Sequence, residues 1–136
     1  MARAWGEGAH VLPLPNTGLP WRAEEAPSVW GPRAWYWLHN AAINYPAAPT
    51  KEMRLAAMVR FWSFLQSLPC AECRKHAAAY ARKHPPDMRG SREYQTWAWR
   101  FHNAANERLS KPIMTPEEYQ EVYRPELARA YWPYLS

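Results

Sequence analysis

Cysteine and glycine are scarce, with two and five residues in a chain of 136. Two cysteines cannot build the multiply cross-linked scaffold of a small secreted domain. Uninterrupted apolar runs are only a few residues long. That excludes a transmembrane helix and membrane insertion, and it argues against a secretory leader. The expected compartment is therefore the reducing cytoplasm. No stretch keeps the strict alternation of a half-buried strand, so the β-α-β thioredoxin type is excluded as well. Basic charge is only moderately in excess, 17 Lys plus Arg against 12 Asp plus Glu, a net charge of +5. It is spread along the chain rather than gathered into one run. It reads as an ordinary basic surface, or an attraction to a phosphate-bearing cofactor, more readily than as a nucleic-acid stripe.

What is present is apolar, aromatic and broken by proline. Apolar residues make up 48% of the chain, which excludes global disorder. Nine Trp and eight Tyr exceed what a small core needs, and fourteen Pro cut the chain into short pieces. Residues 1–28 read as a Pro-rich irregular arm, 29–124 as one helical domain and 125–136 as a tail. Within the domain, a helix over 31–45 carries Trp35, Leu38, Ala42 and Tyr45 at helical spacing. A second follows Thr50 as N-cap and buries Met58, Phe61, Leu65 and Leu68. A third starts at Pro69 and stops before His84-Pro85-Pro86. A fourth starts with Ser91 as N-cap and ends at Ser110-Lys111-Pro112. A fifth, short helix is announced by Thr115-Pro116-Glu117-Glu118, a capping box. The expected fold is all-α, an antiparallel four-helix bundle of roughly 15–19-residue helices with a fifth short one.

Cys70-Ala71-Glu72-Cys73 puts a C-x-x-C at a helix start, where a thiolate is favoured over a thiol. Such a pair attacks a partner disulfide or resolves a mixed one. Cys70 is expected to be the more exposed, Cys73 to face the bundle. A zinc site is the rival reading, with Cys70, Cys73, His76 and His84 as ligands in a small helical interaction module. A single helix would separate Cys70 from His84 by about 20 Å, too far for one metal unless the helix breaks.

Trp99, His102, Asn103, Asn106 and Leu109 share one face of the fourth helix, and Tyr94, Trp97, Phe101 and Ala105 supply a more apolar neighbouring face. The polar stripe serves either a hydrogen-bonded layer between helices or a buried ligand rich in hydrogen-bonding atoms. Trp35 and His39 repeat the theme on the first helix. Flat rings suit a flat aromatic cofactor, and Arg108 and Lys111 would neutralise its phosphates. A dithiol gives electrons in pairs while dioxygen takes them singly, so a flavin would connect the two.

Three motifs in order carry a family resemblance: Trp30-Gly31-Pro32-Arg33-Ala34-Trp35-Tyr36-Trp37-Leu38-His39, then Leu68-Pro69-Cys70-Ala71-Glu72-Cys73, then His102-Asn103-Ala104-Ala105-Asn106-Glu107-Arg108-Leu109-Ser110-Lys111-Pro112. Across roughly 29–123 the chain resembles the FAD-linked sulfhydryl oxidases of the augmenter-of-liver-regeneration type. It is most similar to the short enzymes of large cytoplasmic DNA viruses such as African swine fever virus. The resemblance implies FAD in the mouth of the bundle, and oxidation of two thiols by dioxygen to a disulfide and hydrogen peroxide. It implies that Cys73 lies next to the flavin and that Cys70 meets the substrate thiol. It implies that Gly31, Arg33, Trp35, His39, His102, Asn103, Asn106, Leu109 and Lys111 line the cofactor, with Tyr45 and Tyr123 as further candidates. A homodimer is implied, and host cytoplasm if the chain is viral. This chain has no third cysteine to act as a shuttle, so the electrons would come directly from a thiol-bearing protein or a thioredoxin-like dithiol relay. The structural disulfide that clamps the third and fourth helices in many members is also missing. Ala81 and Trp99 fall at its positions, and a contact between them is expected to replace it.

Overall fold

The computed structural model describes residues 26–126, which form five helices and no strands. They are α1 (Pro27–Ile43), α2 (Lys51–Gln66), α3 (Ala71–Lys83), α4 (Ser91–Arg108) and α5 (Pro116–Tyr123). The remaining residues of the expected arm and tail lie outside the described part.

α1 starts earlier than its motif suggests. Pro27 takes the first helical position, where a missing N–H costs nothing, and the extra turn buries Trp30. The expected arm thus gives Pro27 and Ser28 to the helix. α2 begins after Thr50, whose side chain accepts the Met53 N–H. Phe61, Leu65 and Leu68 are buried as expected, whereas Ala57 is buried and Met58 only partly so. α3 starts later than expected, because Cys70 rather than Pro69 ends the loop: its sulfur caps the helix by accepting the Cys73 N–H at 3.1 Å. α4 has Gly90, not Ser91, at its N-cap. The Ser91 hydroxyl instead donates to the Ala42 carbonyl at 2.7 Å, tying the start of α4 to the end of α1. The capping box of Thr115 and Glu118 opens α5 as expected.

α1 and α4 run antiparallel, and so do α3 and α4: the indole of Trp97 donates to the His84 carbonyl at the end of α3. Between the helices lies an aromatic knot. Trp97 stacks on Phe101 at 4.9 Å, Phe61 meets Trp97 edge-on at 5.2 Å, and Tyr80 leans on Phe101 at 5.4 Å. Such pairs add to plain burial. Trp97 therefore joins α3 to α4. The indole of Trp99, expected on Ala81, instead donates to the Met114 carbonyl at 2.9 Å and braces α4 against the segment before α5. Ala81 is buried in the core.

Candidate functional site

Cys70 and Cys73 occupy the N-cap and third position of α3. Their Cα atoms are 5.1 Å apart and their sulfurs are bonded to each other, a separation in the ordinary range for a disulfide. The zinc reading fails here. The two sulfurs are spent on one another, and among the described residues no cluster of His, Cys, Asp or Glu can hold a metal.

Behind the pair opens a cavity of about 400 Å³, within the size range of small-ligand sites. Cys73 is part of its wall. From α1 come Trp30, Gly31, Ala34 and Trp35; from α2 and the following turn, Phe64 and Leu68; from α3, His76, Ala77 and Tyr80. α4 supplies Phe101, Ala104, Ala105 and Arg108, and the chain leaving it adds Leu109 and Lys111. A Cβ added at Gly31 would meet nothing within 4 Å, so the glycine leaves the space beside it open. Lys111 reaches the rim because α4 ends in a Schellman turn. Ser110 adopts φ 57°, and the Lys111 N–H returns to the Asn106 carbonyl at 2.7 Å.

Of the residues singled out in sequence, Gly31, Trp35, Cys73, His76, Phe101, Ala105, Arg108, Leu109 and Lys111 line this cavity. His102 stands behind Trp35, ring on ring at 3.8 Å and 8°. Its Nδ1 is 3.0 Å from His39 Nε2, so one ring donates to the other. Tyr123 covers His39 at 4.1 Å. Burial, reinforced by His102, pulls the His39 pKa down to about 3. Burial and the Lys111 charge pull that of His102 down to about 4. Both imidazoles are neutral at pH 7, and the buried His39 Nδ1 has no hydrogen-bond partner among the described residues.

Asn103 grips the backbone of Met114 with both ends of its amide, accepting the N–H at 2.8 Å and donating to the carbonyl at 2.9 Å. Asn106 donates to Asn103. This pair is a hydrogen-bonded layer that fixes the loop carrying Lys111. Arg33 lies on the exposed side of α1. Tyr45 is elsewhere: it is buried where α1 ends, donates to the Met88 carbonyl at 2.7 Å and packs edge-on against Tyr94.

Phe64, Ala77 and Tyr80 escaped the sequence reading, while Trp30, Ala104 and Ala105 entered it only within a motif or a neighbouring helix face. For Ala77 and Tyr80 a signal existed, since Cys73, Ala77 and Tyr80 are spaced four and three apart along one helix face. Trp30 opens the first of the three motifs, and Phe64 carried no signal.

The sequence pattern of the Erv1/Alr family matches residues 32–124. The chain belongs to the Erv1/Alr family. Its sequence is 37% identical over 100 residues to a protein of African swine fever virus named FAD-linked sulfhydryl oxidase, covering 74% of this chain and 84% of the relative. It is 31% identical over 110 residues to the mitochondrial FAD-linked sulfhydryl oxidase ERV1 of Saccharomyces cerevisiae, covering 79% and 56%. Among solved structures, the yeast Erv1 core matches with a TM-score of 0.66 at 27% identity, covering 81% of this chain and 94% of the other. The FAD binding domain of Erv1 from the same yeast matches with a TM-score of 0.65 over 70% and 90%. This Erv1/Alr chain therefore has an all-helical core with the dithiol at the head of its third helix.

Proposed function

We propose that this protein is an FAD-dependent thiol oxidase that makes protein disulfides, with dioxygen as the final acceptor and hydrogen peroxide as product. The observation that carries the reading is that Cys73 of an exchangeable pair lines an aromatic cavity. The residues present fit the cofactor. The walls are flat and apolar, Gly31 leaves room beside α1, and Arg108 and Lys111 bring two cations to the rim where phosphates would lie.

When bound, FAD supplies an acceptor for the electron pair of the dithiol and a route from there to dioxygen. The chain does the rest. Cys70, at the helix N-cap, is the sulfur a substrate thiolate attacks, and Cys73 is the one released toward the cavity. Trp30, Trp35, Phe64 and Tyr80 exclude water. His102 backs Trp35, His39 backs His102, and Tyr123 closes over them. Asn103 and Asn106 hold the Lys111 loop in place. Arg33 and Tyr45 receive no direct part in this reading.

Both cysteines of these 136 residues form the pair. In this reading the electrons reach it from another molecule, a thiol-bearing protein or a dithiol relay. A homodimer held by packing, in the cytoplasm, completes the proposal. The viral relatives support the location, and no described helix is long and apolar enough to cross a membrane.

A visible absorption spectrum of the purified chain, before and after denaturation, tests the cofactor. Release of about one FAD per chain is expected, and a chain that stays colourless after FAD is added overturns the reading. Cys73→Ser is expected to keep the colour and lose turnover by about a thousandfold. Dithiol oxidation surviving in that variant would remove Cys73 from the mechanism.

A further inference from the structure

The two sulfurs of the pair do not have the same support. Cys70 caps α3, and its sulfur accepts the Cys73 N–H at 3.1 Å, so negative charge there faces the positive end of a helix. Cys73 lies inside the first turn and needs a side-chain partner when its bond to Cys70 opens. Arg74, the next residue, is occupied: its guanidinium donates to the Leu68 carbonyl. His76 is better placed. It lies three residues beyond Cys73, on the same helix face, and lines the same cavity. Its Nε2 is 3.8 Å from Oε1 of Glu72 one turn back, and 45% of its side chain is open to solvent. An imidazole that lines the same space as a cysteine and is open to water can pair, as imidazolium, with a thiolate released there.

We propose that His76 is the cation that pairs with the Cys73 thiolate in thiol–disulfide exchange, with Glu72 as the positioning residue for its ring. The inference deepens the thiol-oxidase reading and rests on it. A substrate thiolate attacks the Cys70 sulfur, a substrate–Cys70 disulfide forms, and the Cys70–Cys73 bond breaks with its electron pair on Cys73. The proton shed by the first substrate thiol is held on His76, whose imidazolium pairs with the Cys73 thiolate. A second substrate thiolate attacks the substrate sulfur of the mixed disulfide and releases Cys70, which takes the second proton. Two substrate thiols are oxidised to a disulfide, and the Cys70–Cys73 pair is reduced to a Cys70 thiol and a Cys73 thiolate paired with the His76 imidazolium. Exchange is faster when the leaving sulfur is stabilised as thiolate.

The test uses the full chain, as purified, carrying Cys70→Ser so that Cys73 is its single thiol. The rate of alkylation by iodoacetamide is followed from about pH 5 to about pH 9, because only the thiolate reacts. Adding His76→Gln is expected to slow alkylation roughly fivefold near pH 6 and to leave it unchanged near pH 9. His76→Lys, which keeps a cation at the position, is expected to restore the rate near pH 6. Glu72→Gln is expected to give a smaller loss in the same direction. Superimposable profiles with and without His76, or no rescue by lysine, overturn the proposal. The readout counts thiolate and needs no flavin, so a chain without FAD would defeat the oxidase reading while still deciding the role of His76.

Discussion

Where α1 finishes and α4 begins, polar groups are paired with one another. Tyr45 donates to Met88 at 2.7 Å, Ser91 donates to Ala42 at 2.7 Å, and the Ser91 N–H reaches the Pro46 carbonyl at 3.0 Å. Where α1 begins and α4 finishes, the same helices spread around a cavity of about 400 Å³. There Leu109 is 50% exposed and the Cys70–Cys73 pair sits at the mouth. The closed end is filled by paired groups, and the open end has apolar walls around a space. Stability concentrates where backbone and side chain satisfy each other; chemistry is possible where they are left facing a space. The aromatic knot around Phe61 separates the two.

Breaking the knot should erase the contrast. Phe61 is fully buried, and Phe61→Ala is expected to cost about 3–5 kcal/mol in denaturant titration and to weaken both ends together.

Acid should act next, through the His39–His102 seam. Both imidazoles titrate well below the usual 6.5 when folded, at about 3 and about 4. Between those values and about 6.5 the unfolded chain binds more protons than the folded one. The stability held by the neutral pair is therefore complete above about pH 6.5 and lost as the pH falls toward 4 and then 3. Melting midpoints taken across that range should fall with acid, and replacing both histidines by glutamine should flatten the slope.

Gly90→Ala probes the closed end alone. A Cβ there would stand 2.5 Å from the Ala47 carbonyl oxygen. The expected loss is about 1–3 kcal/mol, with flavin content per folded chain unchanged. The smallest effect is a gain at the open end. Ser110 holds φ 57° without being glycine, so Ser110→Gly should raise stability by about 1 kcal/mol. A loss instead would mean that the serine side chain holds the turn.

The helices were legible because their signals are local. Thr50, Thr115 with Glu118, and the proline stops act within a turn or two of themselves. The dithiol was legible for the same reason. The misplaced ends have a common cause: Cys70 and Ser91 were read by the usual habits of their neighbours, yet one caps with sulfur and the other bonds across to α1. Trp99 and Tyr45 are harder cases. Trp99 fell at a correct helical position, whereas Tyr45, expected at the end of the first helix, lies two residues beyond the last residue of α1; which backbone carbonyl each meets, Met114 or Met88, depends on loops that spacing does not place.

Sequence alone determined that this chain is helical, where most helices stop, and that a reactive pair heads the third. These follow from capping, periodicity and covalent adjacency. Only the tertiary structure decided which side chains surround the cavity, that Asn103 and Asn106 serve a loop, that His39 and His102 share one hydrogen bond, and that His76 faces the same space as Cys73. Nearly all of those relations join residues of different helices, or a helix and a loop, and the packing of whole helices sets them. The last, though both residues lie on α3, needs the walls of the other helices to define the space they face.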